Sequence, residues 1–429
     1  MGQPQEKSRI EFKSKVRATL FNRAGGKCSV PRCKNPTVGP FEDNEGAVNL
    51  GVACHIYSAA EDGPRGRGGK SDEFIGSDAN GLWCCPSHAS LIDKQKGKDY
   101  PANVLFAWKA LAEARIRKQI TDAPSPLGWV DSIEFVEFDG IRTPPKVSLS
   151  RNTLFFGPNC SGKTSLMEAA ASVSDSRHGE RFSGRIYHGR PAKYKALIKY
   201  STVDTLSKTI EIQICGENLV RQEGATPCLL PPGDLEIIFC SERETRYKPH
   251  EDHVDFLMRY LNIDKSALFA LTKVGGGNLL PGEIVFTQAI DIEYNDDDEE
   301  IEKKRYKIDD SPFMELRFKQ AHGEYWVGLD NLSTSEHARL LLDLAITKAK
   351  ETCKQKLTLL LIDGLLFNLD QRNFEVILNV LTESDFQTAL SLPPYREADV
   401  LDRGAGEVSL KKFAYLEAWR LAILKRSEP

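Results

Sequence analysis

The segment at positions 157–164 reads Gly-Pro-Asn-Cys-Ser-Gly-Lys-Thr and fits the phosphate-loop pattern. Strand-like residues 153–156 precede it, and a helical pattern starts near Lys163, which is the context that the mechanism of this loop requires. Backbone amides at a helix N-terminus hold phosphate oxygens, the lysine reaches the outer phosphates, and Thr164 binds Mg²⁺. The segment predicts an ATP and Mg²⁺ site that includes Gly157, Asn159, Gly162, Lys163 and Thr164.

Two later segments extend this prediction. Residues 359–363 read Leu-Leu-Leu-Ile-Asp, a buried strand that ends in a carboxylate, so Asp363 is expected to hold the Mg²⁺ shell. A serine, Ser333, opens a strongly helical segment at 332–350. Strands and helices alternate from residue 133 onward, with strands predicted at 133–138, 153–156, 194–200, 209–215, 235–239, 357–362 and 388–392, and helices at 253–271, 332–350 and 371–381. This alternation predicts an α/β fold with a mostly parallel sheet.

The order of these segments resembles an ABC-type ATPase of the structural-maintenance-of-chromosomes and overcoming-lysogenization-defect group, over about residues 129–425. The matching pieces are the phosphate loop, the Leu-Ser segment at 332–333, Asp363 and the Leu-Asp pair at 369–370. The resemblance implies an ATP-binding head with a mixed sheet that forms a dimer. In that dimer, Ser333 of one copy meets the γ-phosphate held by the other. Only some 170 residues separate Lys163 from Ser333 and they show no heptads, so long coiled-coil arms are not expected.

Several positions depart from that family. Cys160 and Ser335 stand where the family usually has glycine, and Gly364 stands where it has the glutamate that positions water. No clear glutamine loop and no switch histidine are identified either. A water-positioning carboxylate is worth orders of magnitude in rate. Hydrolysis of ATP is therefore expected to be slow or absent, with ATP acting mainly by binding and holding a closed dimer.

Cysteines crowd the N-terminal part, which holds five of the ten within its first 85 residues. The first residues are polar and lack the apolar core of a signal peptide, which predicts a cytoplasmic protein with reduced thiols. Crowded cysteines in that compartment favour a metal site. The donors and spacing predict structural zinc at Cys28, Cys33, Cys85 and His88. Buried thiols beside a surface histidine are the alternative.

Between these pairs the sequence predicts a strand at 47–56, a loop, a strand at 81–85 and a helix at 87–93. Together with His55 on the first strand and Asn80 before the second, this order resembles the zinc-bound ββα-metal domain of HNH endonucleases, over about residues 17–115. The resemblance implies that His55 deprotonates the attacking water, that Asn80 orients the strand, and that Mg²⁺ stabilises the leaving oxygen. Ala89 stands where typical members have a metal-binding histidine, so Asp93, the nearest helix carboxylate, is the candidate ligand.

Charge is divided unevenly along the chain. Residues 1–120 hold 19 Lys and Arg against 13 Asp and Glu, and the remainder holds 38 against 48. A basic part joined to an acidic one permits DNA binding at the N-terminal end. No apolar run approaches the roughly 20 residues of a membrane-spanning helix, so no membrane partner is expected.

These observations predict an HNH nuclease domain with structural zinc at 1–120, a linker at 121–128 and an ABC-type ATP-binding domain at 129–429. The expected function is an ATP-regulated endonuclease that cleaves or nicks DNA. The resemblance to Septu-like systems implies a role in bacterial defence against phage or plasmid DNA. Its expected partners are DNA, ATP and a second copy joined through the ATPase heads, with a higher oligomer or a second defence protein as alternatives. The alternative is an ATP-dependent DNA-binding or assembly subunit whose effector is a partner protein.

Overall fold

The computed structural model describes residues 9–424, apart from positions 32, 34, 42–45, 122–127, 141, 203–206, 275–276, 278, 295–299 and 405–406. The predicted linker at 121–128 lies outside the described residues except at its two ends. Within the described part of the chain, no helix combines the length and the apolar character that a membrane span requires.

The N-terminal part consists of short strands and helices. In chain order they are α1 (Ser14–Arg23), β1 (Val38–Pro40), β2 (Ala47–Asn49), β3 (Val52–His55), α2 (Asp72–Ile75), β4 (Gly81–Cys84), α3 (Pro86–Ile92) and α4 (Ala102–Thr121). Strands β3 and β4 pair antiparallel, with His55 opposite Gly81, and α3 follows β4 directly. The strand–loop–strand–helix order predicted from the sequence is therefore present.

Two boundaries in this part differ from the sequence prediction. Helix α1 begins at Ser14, whereas the sequence predicts a first helix from about residue 8 to residue 24. The strand predicted at 47–56 is interrupted, because the side chain of Asn49 accepts a hydrogen bond from the amide of Gly51 at 2.9 Å and turns the chain. A Cβ on Gly51 would lie 2.2 Å from the ring of Trp83, so only glycine fits this turn.

The N-terminal core is small and falls into two clusters. One contains fully buried Ile56, Ile92 and Leu105 beside the cysteines, and the other contains Phe12, Leu20, Ala24 and Trp83. Since each fully buried aliphatic or aromatic side chain contributes only about 1.5–3 kcal/mol, this part depends on additional cross-links between its segments.

The second part of the chain begins with a series of strands, and the phosphate loop precedes its first helix. Its first elements are β5 (Gly128–Phe138), β6 (Val147–Ser148), β7 (Asn152–Phe156), α5 (Lys163–Ala171), β8 (Ile186–Tyr187), β9 (Arg190–Pro191), β10 (Lys193–Thr202), β11 (Lys208–Cys215), β12 (Asn218–Glu223), β13 (Thr226–Cys228) and β14 (Leu235–Ser241).

Helices and hairpins then alternate to the end of the chain. The elements are α6 (His253–Leu261), α7 (Lys265–Val274), β15 (Gly282–Gln288), β16 (Ile290–Tyr294), β17 (Glu300–Lys304), β18 (Met314–Gln320), β19 (Val327–Gly328), α8 (Thr334–Thr352), β20 (Leu357–Asp363), α9 (Gln371–Thr382), β21 (Gln387–Ser391), α10 (Glu397–Val400), β22 (Leu401–Gly404), β23 (Glu407–Leu410) and β24 (Trp419–Ile423).

Two large sheets organise this part. Five parallel strands lie in the order β14-β20-β21-β7-β24, and six antiparallel strands lie in the order β13-β12-β11-β10-β5-β6. The mixed α/β class predicted from the sequence is confirmed. The expectation of a mostly parallel sheet is wrong for the strands near 133–138, 194–200 and 209–215, which belong to the antiparallel sheet as β5, β10 and β11.

Helix α5 packs between the two sheets, and its residues 165–171 are buried. Helices α6 to α9 cover the opposite face of the parallel sheet with the largest apolar cluster of the chain. The single helix predicted at 253–271 is instead two helices, because Asn262 adopts a left-handed conformation with φ of 49° and ends the first one.

The two parts of the chain touch at the entry to β24, the strand beside β7. Lys70 Nζ lies 3.3 Å from a carboxylate oxygen of Glu417, and the side-chain amide of Asn103 donates to the carbonyl of Ala418 at 3.1 Å. At its other end, the amide of Leu424 donates to the carbonyl of Phe156 at 2.7 Å, immediately before the phosphate loop. The residues on either side of β24 thus contact the N-terminal part at one end and the residue before the phosphate loop at the other.

Candidate nucleotide, metal and phosphodiester sites

The phosphate loop connects the end of β7 to the N-terminus of α5, so its backbone amides point toward the loop interior. Gly157 tolerates no side chain, because a Cβ would lie 2.6 Å from the carbonyl oxygen of Leu424. Cys160 has a φ of 64°, the left-handed conformation that glycine supplies at the same place in the related pattern. The loop therefore keeps its shape despite the substitution.

Lys163 Nζ donates to the backbone carbonyls of Gly157 and Pro158, the latter at 3.1 Å. This holds the ammonium group across the mouth of the loop. Burial lowers the pKa of Lys163 below its usual value, and the nearby carboxylate of Asp363 acts in the opposite direction. A phosphate placed over the loop would meet this ammonium group directly.

Asp363 ends β20 directly beneath α5. One of its carboxylate oxygens accepts from the hydroxyl of Thr164 at 2.6 Å, and the other accepts from the hydroxyl of Ser391. Mg²⁺ binds carboxylate and hydroxyl oxygens together with the phosphate oxygens of a nucleotide. Sequence reasoning missed Ser391, whose only signal is its position at the end of a buried strand.

A cavity of about 820 Å³ opens over this cluster, within the range of sites for nucleotide-sized ligands. Asn159, Gly162, Lys163, Thr164 and Asp363 line it, whereas Ser333 does not. Three carboxylates face it, from Asp139, Glu242 and Asp363. Positive groups outnumber them, and these come from Arg142, Lys163, Arg181, Arg185 and Arg243. An excess of positive charge suits an anionic polyphosphate.

Ser333 is exposed and caps the N-terminus of α8. Its hydroxyl donates to a carboxylate oxygen of Glu336 at 2.7 Å and accepts from the Glu336 amide at 3.3 Å. The Ser333 hydroxyl, and the Ser333 amide that donates to the same carboxylate at 3.0 Å, hold the pKa of Glu336 below its usual value. A phosphate arriving at this helix end would have to displace the Glu336 carboxylate from Ser333.

Cys28, Cys33, Cys85 and His88 converge in the N-terminal part, with all four ligand atoms within 4.8 Å of one another. Cys33 Sγ lies 4.0 Å from Cys85 Sγ, and His88 Nδ1 lies 3.6 Å from Cys28 Sγ and 3.2 Å from Cys85 Sγ. Tetrahedral zinc with bonds of about 2.3 Å to sulfur and 2.0–2.1 Å to nitrogen places two sulfurs about 3.8 Å apart, and sulfur and nitrogen about 3.6 Å apart. The four donors fit that geometry.

The thiols of this cluster differ in acidity. A hydrogen bond with the Cys84 side chain lowers the pKa of Cys28, whereas burial raises the pKa of Cys33. The negative charge that Cys28 carries also disfavours a second thiolate at Cys33. A divalent cation bound between them would offset this repulsion, which is the electrostatic reason that such a cluster takes up zinc.

His55 ends β3, and its ring stacks on Phe12 with centroids 3.7 Å apart and planes inclined by 4°. The Nε2 atom is buried and has no hydrogen-bond partner among the described residues. Burial lowers the pKa of His55, which keeps the imidazole neutral at pH 7. The sequence prediction placed this ring against an attacking water, but in the structure Phe12 covers it.

Asn80 is fully buried immediately before β4. Its side-chain oxygen accepts from the amide of Tyr57 at 2.8 Å, and its side-chain nitrogen donates to the carbonyls of Tyr57 at 2.9 Å and Ile75 at 3.1 Å. These bonds fix the chain two residues beyond His55.

Asp93 follows α3 and pairs with Arg65 at 2.7 Å. The guanidinium of Arg65 is almost fully buried, and it also donates to the carbonyls of His55 at 3.2 Å, Ile56 at 2.6 Å and Ile92 at 2.7 Å. Asp93 is therefore already neutralised by a buried cation, which weakens it as a Mg²⁺ ligand. Sequence reasoning missed Arg65, which lies in a glycine-rich loop without a recognisable pattern.

Comparisons with known proteins give similarity at the level of structure. No family model matches the chain, and no curated protein matches it. Among solved structures, the chain is similar to an SMC head bound to the C-terminal winged-helix domain of ScpA (14% identity, 66% of this chain and 97% of that chain, TM-score 0.41). It is also similar to the recombination mediator RecF with ATP (12%, 67% and 100%, TM-score 0.41) and to the SMC head from Thermotoga maritima (15%, 66% and 98%, TM-score 0.34).

Proposed function

We propose that this protein binds ATP with Mg²⁺ in the phosphate-loop cavity and uses it to control a zinc-stabilised, HNH-type DNA endonuclease in its N-terminal part. The observation that carries the proposal is the joint placement of Lys163, Thr164 and Asp363 in one positively charged cavity. These groups come from the phosphate loop and from a strand about 200 residues later in the chain. Together they provide the side chains that a nucleoside triphosphate with Mg²⁺ requires.

The proposal also includes a dimer of this protein, and the position of Ser333 is the reason. It lies outside the cavity of its own chain, at the exposed N-terminus of a 19-residue helix. A second copy that places this helix end on the bound γ-phosphate would complete the site. Glu336 must release Ser333 when this happens, so ATP and the second copy are expected to be required together.

The proposed phosphodiester site consists of His55, held by the Asn80 and Arg65 hydrogen bonds around the end of β3. Neutral His55 takes a proton from water, and the water oxygen attacks the DNA phosphorus while the bridging oxygen of the scissile bond leaves. Asp93 is the candidate residue to hold Mg²⁺ at this site, and the ion would stabilise the leaving oxygen. Phe12 must move off the imidazole for this step, so residues 9–13 are expected to shift when DNA binds.

Replacing His55 with alanine is expected to lower the rate of plasmid nicking by about 10²- to 10⁴-fold, the usual contribution of a general base. The measurement is conversion of supercoiled plasmid to open-circular and linear forms in Mg²⁺ or Mn²⁺, with and without ATP. His55→Phe keeps a flat ring on Phe12 without a ring nitrogen and should be equally inactive. His322→Ala, in an exposed turn of the second part, should nick at the native rate.

Undiminished nicking by His55→Ala would remove His55 from the chemistry. Plasmid and phage-derived linear DNA are the substrates to compare first, because the sequence resemblance is to defence nucleases that act on foreign DNA.

A second candidate function is an ATP-dependent DNA-binding or assembly subunit whose effector is a partner protein. It is favoured by the buried Nε2 of His55 and by the ion pair that occupies Asp93. Retained ATP-dependent DNA binding in a gel-shift assay, with no cleavage by the native protein in any divalent metal, would select this function.

A further inference from the structure

Gly364, the residue after Asp363, lies directly beside Glu242, the residue that follows the neighbouring strand β14. Strands β14 and β20 run parallel with Ser241 paired to Asp363, so Glu242 and Gly364 leave the sheet side by side. A Cβ on Gly364 would lie 3.1 Å from the Cβ of Glu242 and 3.2 Å from its Oε2. The Glu242 carboxylate is therefore adjacent to the point where a side chain of residue 364 would begin.

Glu242 is exposed to the phosphate-loop cavity and is not committed to another contact. Its carboxylate forms no hydrogen bond or ion pair with any of the described residues. The other two carboxylates that line the cavity are both engaged: Asp139 pairs with Arg190 at 2.6 Å, and Asp363 accepts from two hydroxyls. A carboxylate on the rim of the cavity without a protein partner is available to bind water or a reacting group.

We infer that Glu242 positions and deprotonates the water that attacks the γ-phosphate of ATP, in place of the glutamate that Gly364 lacks. This inference rests on the proposed ATP binding at the same cavity. The water oxygen forms a bond to the γ-phosphorus, and the bond from that phosphorus to the β,γ-bridging oxygen breaks. The electron pair of the broken bond stays on ADP, the proton passes to the Glu242 carboxylate, and it is then released to solvent.

Glycine at position 364 is part of this arrangement. Gly364 has a φ of 81°, and any side chain there would press on Glu242. The small residue after Asp363 thus leaves the space that the Glu242 carboxylate needs. The sequence expectation that Gly364 makes hydrolysis slow or absent does not hold under this inference, and Gly364→Glu is expected to disturb the site rather than to accelerate turnover.

The test compares ATP binding and ATP hydrolysis in the full-length protein. The native protein should bind ATP and release phosphate steadily in the presence of Mg²⁺ and linear DNA. Glu242→Gln should keep its Kd for ATP within about twofold and lower kcat by about 10²-fold or more, because the amide cannot accept the proton. Glu244→Gln, two residues later, is the matched control, since Glu244 faces Arg259 at 3.3 Å instead of the cavity and should leave kcat unchanged.

A second variant tests the geometry independently. Gly364→Ala adds one methyl group against Glu242, in a left-handed backbone conformation that alanine rarely adopts, and should lower kcat with little change in the Kd for ATP. Native hydrolysis rates in Glu242→Gln, or ATP binding without any phosphate release by the native protein, would overturn the inference and leave the proposed ATP binding intact. A native protein that does not bind ATP would overturn the proposed function itself.

Discussion

Replacing Cys28 with serine is expected to release zinc and to unfold the N-terminal part while the second part stays folded. The cluster joins the loop after α1, the end of β4 and the first turn of α3 through four side chains. Structural zinc contributes an apparent 10–16 kcal/mol in small domains, about as much as or more than the whole stability of a domain with so small a core. The measurements are the zinc content by elemental analysis and the heat-induced unfolding transition of the N-terminal part.

Cys54→Ala is the matched control for this prediction. Cys54 is buried on β3 near the cluster, but it is not one of the four converging residues. Its loss should leave one zinc per chain and reduce the free energy of unfolding by the roughly 1 kcal/mol of a small cavity. Native protein that is saturated with metal during purification and still contains no stoichiometric zinc would contradict the assignment. So would a Cys28→Ser variant that loses zinc and keeps its folded N-terminal part.

Contiguous patterns in the sequence predicted the elements that carry the nucleotide site. The phosphate loop and the apolar strand before Asp363 are readable because each is a local run whose residue types have one structural explanation. The paired cysteines are less specific, because buried thiols beside a surface histidine have the same residue types. These segments give the residues of a site without its geometry.

Relations between distant strands were not predictable in this way. Glu242 became recognisable only through the register of β14 on β20, which places it beside Gly364. Ser391 joined the Asp363 carboxylate through β21, the neighbouring strand. A single sequence contains no signal for register between segments so far apart, so the sequence prediction of slow hydrolysis depends on Gly364 alone.

The stacking of Phe12 on His55 was not predictable from the sequence for a similar reason. Phe12 belongs to the segment before α1, and its stacking on His55 depends on how that segment folds back across β3. The amide of Ile10 donates to the carbonyl of Ala59 at 3.1 Å, which anchors the segment there. The sequence predicts a first helix that begins near residue 8, whereas in the structure residues 9–13 precede the helix and place Phe12 on His55.

Replacing Lys163 with alanine is expected to abolish ATP binding at micromolar nucleotide and, with it, every effect of ATP on the protein. The ammonium group is half-buried across the phosphate loop, and a hydrogen bond to a charged partner contributes about 1.5–3 kcal/mol, a 10- to 150-fold change in Kd. The surrounding arginines hold part of the remaining phosphate charge, so residual binding should be weak and strongly dependent on salt.

The measurement combines ATP binding with unfolding and association. ATP at 100 times its Kd should stabilise the native protein by about 2.7 kcal/mol, an effect visible as a higher Tm, and Lys163→Ala should show no shift at the same concentration. ATP should also raise the molar mass in solution to that of a dimer, as Ser333 requires. Lys146→Ala is the matched control, because Lys146 pairs with Glu134 at 3.2 Å on the antiparallel sheet and should respond to ATP as the native protein does.

The responses of Lys163→Ala and Glu242→Gln distinguish loss of ATP binding from loss of ATP hydrolysis. A ligand shifts a conformational equilibrium only by its difference in affinity for the two states, so loss of the Lys163 contact must remove dimerisation and control of DNA cleavage together. Glu242→Gln should behave in the opposite way, because it binds ATP and retains the dimer for longer. A Lys163→Ala protein that still dimerises with ATP and still responds to it in the plasmid assay would place the controlling nucleotide elsewhere on the chain, and the phosphate-loop cavity would lose its proposed role.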